Sequence, residues 1–347
     1  MQALRPGFSG SRFRAVSCFL LAGLMAGAHA TPLDGTAPAE MARESVRTLL
    51  TDIQYTGRRY VAVGWRGHIL LSEKARDWRQ VQVPVNVLLT AVDFVDELTG
   101  WVVGHDSTIL KTTDGGDSWD VQSFGAGLPP LLDVLFLDAR HGLAVGTYGA
   151  MMQTADGGLS WENVHNDIVD EALHFNDLQR LADGTILLVG ELGMMAISTD
   201  EGRTWRRLSS PYDSSLFSAA PSGDRGAIVG GMRGSLFITD DIHDGQWRPI
   251  ENPSTQSIFG ITQLPDGTGH VLAALNGTLQ VIAVDGEISN VALDKESAGI
   301  PPVPPSGPPY VFVLTDDVDQ ELGAFCRALP LKDGFLTVGD SGVRYWH

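Results

Sequence analysis

Six side chains able to ligate a metal crowd into HNDIVDEALHFND at residues 165–177: His165, Asp167, Asp170, Glu171, His174 and Asp177. A bound cation needs several such donors converging on one point, and ligand motifs secure that with fixed offsets such as H-E-x-x-H on a helix. The spacing here matches none of them, and a run of carboxylates is the usual make-up of a solvated loop, so no metal is expected. A second chemistry would be glycoside hydrolysis of the sialidase kind, which calls for three converging arginines, a Tyr with a Glu partner and an acidic proton donor. The candidates are Arg66, Arg233 and Arg344, with Tyr345 beside Arg344 and Glu191 or Asp106 as acids. They are scattered and form no motif. Serine-hydrolase elbows, phosphate loops and paired CxxC are absent. The sequence therefore predicts no catalytic residues, no metal and no cofactor, with a glycan-binding or sialidase-like protein as the alternative.

What positions these residues is a repeat. An apolar triplet ending in Gly, a short polar turn, a second apolar run and a turn closed by Trp recur as VAVGWRGHILLSEKARDW (61–78), WVVGHDSTILKTTDGGDSW (101–119) and LAVGTYGAMMQTADGGLSW (143–161). They continue as LLVGELGMMAISTDEGRTW (187–205) and AIVGGMRGSLFITDDIHDGQW (227–247). The Trp positions step by 41, 42, 44 and 42, with turn glycines at 64, 104, 146, 190 and 230. Two weaker copies, VLAALNGTLQVIAVDG (271–286) and FLTVGDSGVRYW (335–346), make seven. Four short apolar segments per unit, as at 89–95, 100–103, 108–112 and 119–122, predict an all-β fold, a seven-bladed β-propeller of four-stranded antiparallel blades over residues 48–347. No blade can bury both faces alone, so each depends on its neighbours.

In such a blade the turn between strands two and three opens at the same end as the link to the next blade. The residues after each strand-two Gly then gather round one mouth: Trp65, Arg66 and His68; His105 and Asp106; Tyr148; Glu191; Met232 and Arg233; Asn276; Asp340. Aromatic anchors mixed with charges of both signs suit a protein interface, and this ring is the expected partner-binding set.

The Trp-closed turns carry a second pattern, Ser/Thr-x-Asp-x-Gly-x-Ser/Thr-Trp, with Asp114, Gly116 and Trp119, then Asp156, Gly158 and Trp161, then Asp200, Gly202 and Trp205. Asp accepts local N–H bonds, Gly takes positive φ and Trp buries a large area, so the expected role is structural. The first unit lacks the Asp and Gly, and the fifth stretches them around Asp241 and Gly245. These octapeptides resemble the Asp-box, or bacterial neuraminidase repeat. The whole array resembles the photosystem II assembly and stability factor family of seven-bladed propellers. That resemblance implies a non-enzymatic scaffold for a membrane-protein partner or assembly intermediate, engaged through arginines of which Arg66 and Arg233 are the best matches here.

Composition narrows the partners. The chain carries a formal charge of -18 over 347 residues, which repels phosphate backbones and excludes nucleic acid. Residues 1–30 read as a cleaved signal peptide: Arg5, Arg12 and Arg14, an apolar run from Ala15 to Gly27, then Ala28-His29-Ala30. Its removal takes away three Arg and no Asp or Glu, leaving -21, and leaves Cys326 alone without a disulfide partner. A periplasmic or otherwise exported monomer without a membrane span is expected. Two departures from the repeat remain. A Pro-rich insertion spans about 295–321, with prolines at 301, 302, 304, 305, 308 and 309. The last unit ends after its third strand, and residues 31–47, readable as strand or helix, are the expected source of a closing fourth.

Overall fold

The computed structural model describes residues 36–283, 288–291 and 323–346. The predicted signal peptide and Pro-rich insertion lie outside them. Seven antiparallel sheets follow one another along the chain, six of four strands and the last of three. In every sheet the strands lie side by side in sequence order. Blade 1 comprises Leu50–Tyr55, Tyr60–Gly64, Ile69–Ser72 and Arg79–Val81. Blades 2 to 7 begin at Leu89, Leu131, Phe175, Leu216, Ile258 and Phe325. The expected propeller is found, with blade 2 strands at Leu89–Phe94, Gly100–Gly104, Thr108–Thr112 and Asp120–Ser123.

Burial follows strand position. The second strands GWVVG, GLAVG and ILLVG are buried throughout, because both faces of a blade are covered by its neighbours. The outer strands Glu162–Asn163 and Arg206–Arg207 are exposed. Apolar clusters sit between blades, not within them: Trp101 of blade 2 lies flat on Phe136 of blade 3 with ring centroids 3.4 Å apart.

Inner strands are also stitched by polar side chains. Each carries a register shift near its start, between Leu50 and Asp52 in blade 1 for example, and in blades 1, 3, 4, 5 and 7 the side chain at the third position reaches the next blade. Asp52 Oδ2 accepts from Val92 N at 2.9 Å, Asp133 Oδ2 from Leu178 N at 2.7 Å and Asp177 Oδ2 from Ala219 N at 2.8 Å. Ser218 Oγ accepts from Ile261 N at 3.0 Å. In blade 2 that position is Ala91, and Asp93 accepts from Phe136 N at 2.6 Å instead. These bonds satisfy N–H groups that would otherwise be orphaned along the channel wall.

Two expectations change. The pairing of Leu216 with Gly231 matches that of Leu50 with Gly64, so Gly231, not Gly230, ends the second strand of blade 5. The closing strand expected from residues 31–47 is not found among the described residues: 36–44 carry no strand and Ser45–Arg47 is one 3-10 turn. This segment runs along blade 1, where Ala39 is buried and its N–H donates to Val83 O at 2.9 Å. Blade 7 meets blade 1 face to face, Leu336 and Val338 packing with Leu50, Ile53, Ala62 and Leu70.

Candidate partner-binding rim

Five of the seven tips joining second and third strands have one conformation. Trp65–Gly67, Thr147–Gly149, Glu191–Gly193, Met232–Gly234 and Leu275–Gly277 are each a single 3-10 turn. Their middle residues are left-handed, with φ of 53° at Arg66, 57° at Tyr148, 51° at Leu192 and 56° at both Arg233 and Asn276. Asp106 takes the same value range, 57°, in blade 2. The Gly that follows has no room for a side chain: a Cβ on Gly149, at φ 72°, would lie 2.3 Å from Val169 O. Its N–H instead donates to Leu173 O at 2.7 Å in the link to blade 4. The tip is thus clamped to the next blade, and its middle side chain is turned into solvent. Tyr148 is 68% exposed and Leu192 62%.

Trp65, Arg66, His105, Tyr148, Met232, Arg233, Asn276 and Asp340 are exposed at these tips, as expected. Asp106 and Glu191 are half-buried. Asp106 Oδ1 accepts from Gly127 N at 2.9 Å, and Glu191 Oε2 from His174 N at 3.2 Å. Arg66 stands 5.9 Å from the Trp65 ring centroid and 3.9 Å from Glu40. His68 is placed differently from the rest. It is buried, its Nδ1 lies 2.8 Å from Thr48 Oγ1, and burial followed by the Arg66 charge lowers its pKa. It supports the first tip from below and offers nothing to a partner.

Leu192 and Leu275 belong to the rim and were not singled out from the sequence. Their signal was their offset from the Gly or Ala ending strand two, the same offset that identifies Arg66 and Trp65. Between tips, ring side chains from the links fill in: Tyr148 meets His174 edge to face at 5.0 Å, and Tyr212 Oη donates to Met232 O at 3.1 Å. Toward the axis, Phe217 and Phe259 pair at 5.3 Å.

The candidate chemistry does not assemble. Arg66 and Arg233 stand on blades 1 and 5, and Arg344 lies within Gly342–Trp346 of blade 7. Residues 165–177 disperse: Asn166 caps the short helix Asp167–Asp170, Glu171 pairs with Arg207, and Asp177 is a buried inter-blade stitch. Among the described residues no three His, Cys, Asp or Glu side chains converge as metal ligands, and no helix is long and apolar enough to cross a membrane.

The Trp-closed turns lie at the other end of the blades. Thr112 Oγ1 donates to Asp114 Oδ1 at 2.7 Å and accepts from Gly116 N at 2.9 Å, while Asp114 accepts from Ser118 N at 3.0 Å and Ser118 Oγ at 2.6 Å. Trp119 Nε1 closes the turn on Gly116 O at 3.0 Å. Asp156 and Asp200 repeat the network. These hydrogen bonds hold Asp156 down to about 2. At Trp161 the pattern departs, its Nε1 finding no partner.

Comparison with known proteins finds the resemblance anticipated from the repeats. The family model described as photosynthesis system II assembly factor YCF48 matches residues 70–128 and 127–213. Photosystem II assembly protein Ycf48 of Thermosynechococcus vestitus is 29% identical over 55% of this chain and 55% of its own length. A photosystem II assembly lipoprotein Ycf48 of Picosynechococcus is 33% identical over 52% of this chain and 54% of its own. The chain thus spans little more than half the length of these relatives. A solved structure, YCF48 bound to D1 peptide, superposes with a TM-score of 0.64 at 18% identity, covering 90% of this chain and 98% of that one, which shows the shared fold.

Proposed function

We propose that this chain is an exported, non-enzymatic scaffold that holds a membrane-protein partner or assembly intermediate on its rim. The observation that carries this is the repeated left-handed tip. Six blades place a non-Gly residue at positive φ, each at a cost of about 1 kcal/mol or more, and most point it outward. Strain of that kind clusters at binding sites. The similarity to photosystem II assembly proteins supports the same reading, as does the naming of one such relative as a lipoprotein.

The test is capture of partners from the envelope of the source cell by purified protein, compared with Arg66→Glu/Arg233→Glu and Leu192→Asp/Met232→Asp variants. A membrane protein that co-purifies with the wild type and is depleted with the rim variants supports the proposal. Equal capture by all three proteins removes the rim from consideration. Turnover of a sialoside would sink the non-enzymatic reading.

A further inference from the structure

The rim is chemically lopsided. Across blades 3 to 6 every tip exposes an apolar side chain, Tyr148, Leu192, Met232 and Leu275, the last two beside Arg233 and Asn276, and Tyr212 fills the step between Leu192 and Met232. Monomeric proteins scatter single apolar residues over their surfaces, but one on the tip of each of four successive blades, at the middle position in blades 3 and 4 and at the first in blades 5 and 6, is an organised patch. Its border is acidic. Asp167 and Asp170 in the link from blade 3 to blade 4, and Asp213 in the next link, are exposed and have no ion-pair partner among the described residues. Arg233 is the only cation at a tip along this arc. Blades 7 and 2 differ, their tips carrying Asp340, His105 and Asp106, and in blade 1 Trp65 stands beside Arg66, apart from the arc.

We infer that the arc over blades 3 to 6 receives a protein segment with apolar anchor side chains followed by Lys or Arg. This rests on the reading of the rim as the partner face and specifies the partner's chemistry there. Apolar anchors bury against the four tips, and the basic end lies over Asp167, Asp170 and Asp213. The net charge of -18 favours the same sign of partner over longer range. An acidic segment would bring like charges to the border and gain only Arg233. Because Gly149 and Gly193 donate to the following links, Arg233 N donates to Ser257 Oγ and Leu275 N to Ser257 O, the arc is formed before binding, so little ordering cost is paid on the protein's side.

The experiment uses the mature protein with two fluorescein-labelled synthetic peptides, one with a Leu/Phe-rich half followed by a Lys/Arg-rich half, the other with every Lys and Arg replaced by Glu. The basic peptide is expected to bind about tenfold or more tightly than the acidic one, and to weaken steadily with added salt. Leu192→Asp should weaken it by roughly tenfold, and Asp167→Asn/Asp170→Asn by a few-fold, with circular dichroism and melting unchanged because these side chains are exposed. Tyr148→Ser is a second apolar truncation for the same purpose. Equal or tighter binding of the acidic peptide, lost on Arg66→Glu/Arg233→Glu, overturns the inference while leaving the rim as the partner face. Undiminished binding in every rim variant overturns both.

Discussion

Arg327 on the last blade donates from Nε to Asp52 Oδ1 on the first at 3.1 Å, an ion pair that joins residues 275 positions apart. Asp52 simultaneously accepts from Val92 N, so one carboxylate ties blades 7, 1 and 2. Asp133 and Asp177 also face the guanidinium and raise its pKa against the opposing effect of burial. With no closing strand among the described residues, this pair is a buried polar lock on the ring, beside the contact of Tyr345 with Arg76 nearer the surface. Arg327→Met would leave the channel carboxylates uncompensated and should cost about 3 kcal/mol, since breaking a largely buried pair strands its partner. Urea unfolding of the two proteins measures it, and a loss well under 1 kcal/mol would show that apolar packing alone closes the ring.

Asp93 gives the fold a pH signature. Burial raises its pKa to about 6, against the lowering effect of the Phe136 N–H bond, while the unfolded chain titrates near 4. The folded state therefore holds the extra proton between those values. Asp93 contributes fully below about pH 4, and this contribution is lost as pH rises through about 6. Asp93→Asn keeps an oxygen for Phe136 N and should flatten the stability profile across that window, with a gain on the order of 1 kcal/mol at pH 7.5. Denaturant midpoints at pH 4.5 and 7.5 check it; an identical difference in both proteins would count against it.

Trp119 is 5% exposed, meets Phe94 edge to face at 5.9 Å and donates to Gly116 O. Trp119→Ala should cost about 3–5 kcal/mol, as other large aromatic truncations do. Trp161 carries the same packing on Phe136 without a partner for its Nε1. Trp161→Phe should therefore be milder than Trp119→Phe, which forfeits a hydrogen bond worth roughly 1 kcal/mol. Thermal melts of the pair decide the order.

Leu192 separates stability from binding. Gly at its φ of 51° removes the left-handed strain, so Leu192→Gly should hold stability level or raise it by up to about 1 kcal/mol while weakening partner capture. A variant that both binds normally and melts higher would mean that the tip's side chain serves no partner.

The blade count and strand positions were legible because Trp, Asp and Gly act locally: a tight turn and its sealing ring need the same residues wherever they occur. Gly231 was misassigned by one place because two adjacent glycines satisfy the same turn chemistry and only cross-strand pairing tells them apart. His68 shares its tip with Arg66, yet its backbone has already re-entered the extended region, which turns the imidazole beneath the rim. Asp52, Asp133 and Arg327 read as ordinary strand residues and Asp177 as part of a solvated acidic run, since their partners lie one blade away or at the far end of the chain. Glu191 follows the strand-two Gly directly and entered the ring on that ground, whereas the residue beside it, Leu192, holds the exposed position.

One junction lacks the polar stitching. At the third position of its inner strand blade 6 has Gly260, whose missing side chain lets Cys326 O approach closely but sends no bond across. Among the described residues the only side-chain hydrogen bond over that junction is the long one from Arg327 Nη1 to Ile261 O, 3.5 Å. The collar therefore has a built-in parting line: under heat or mechanical load it should first open into a broken ring between the sixth and seventh sectors, and amide exchange should accelerate there before it does elsewhere.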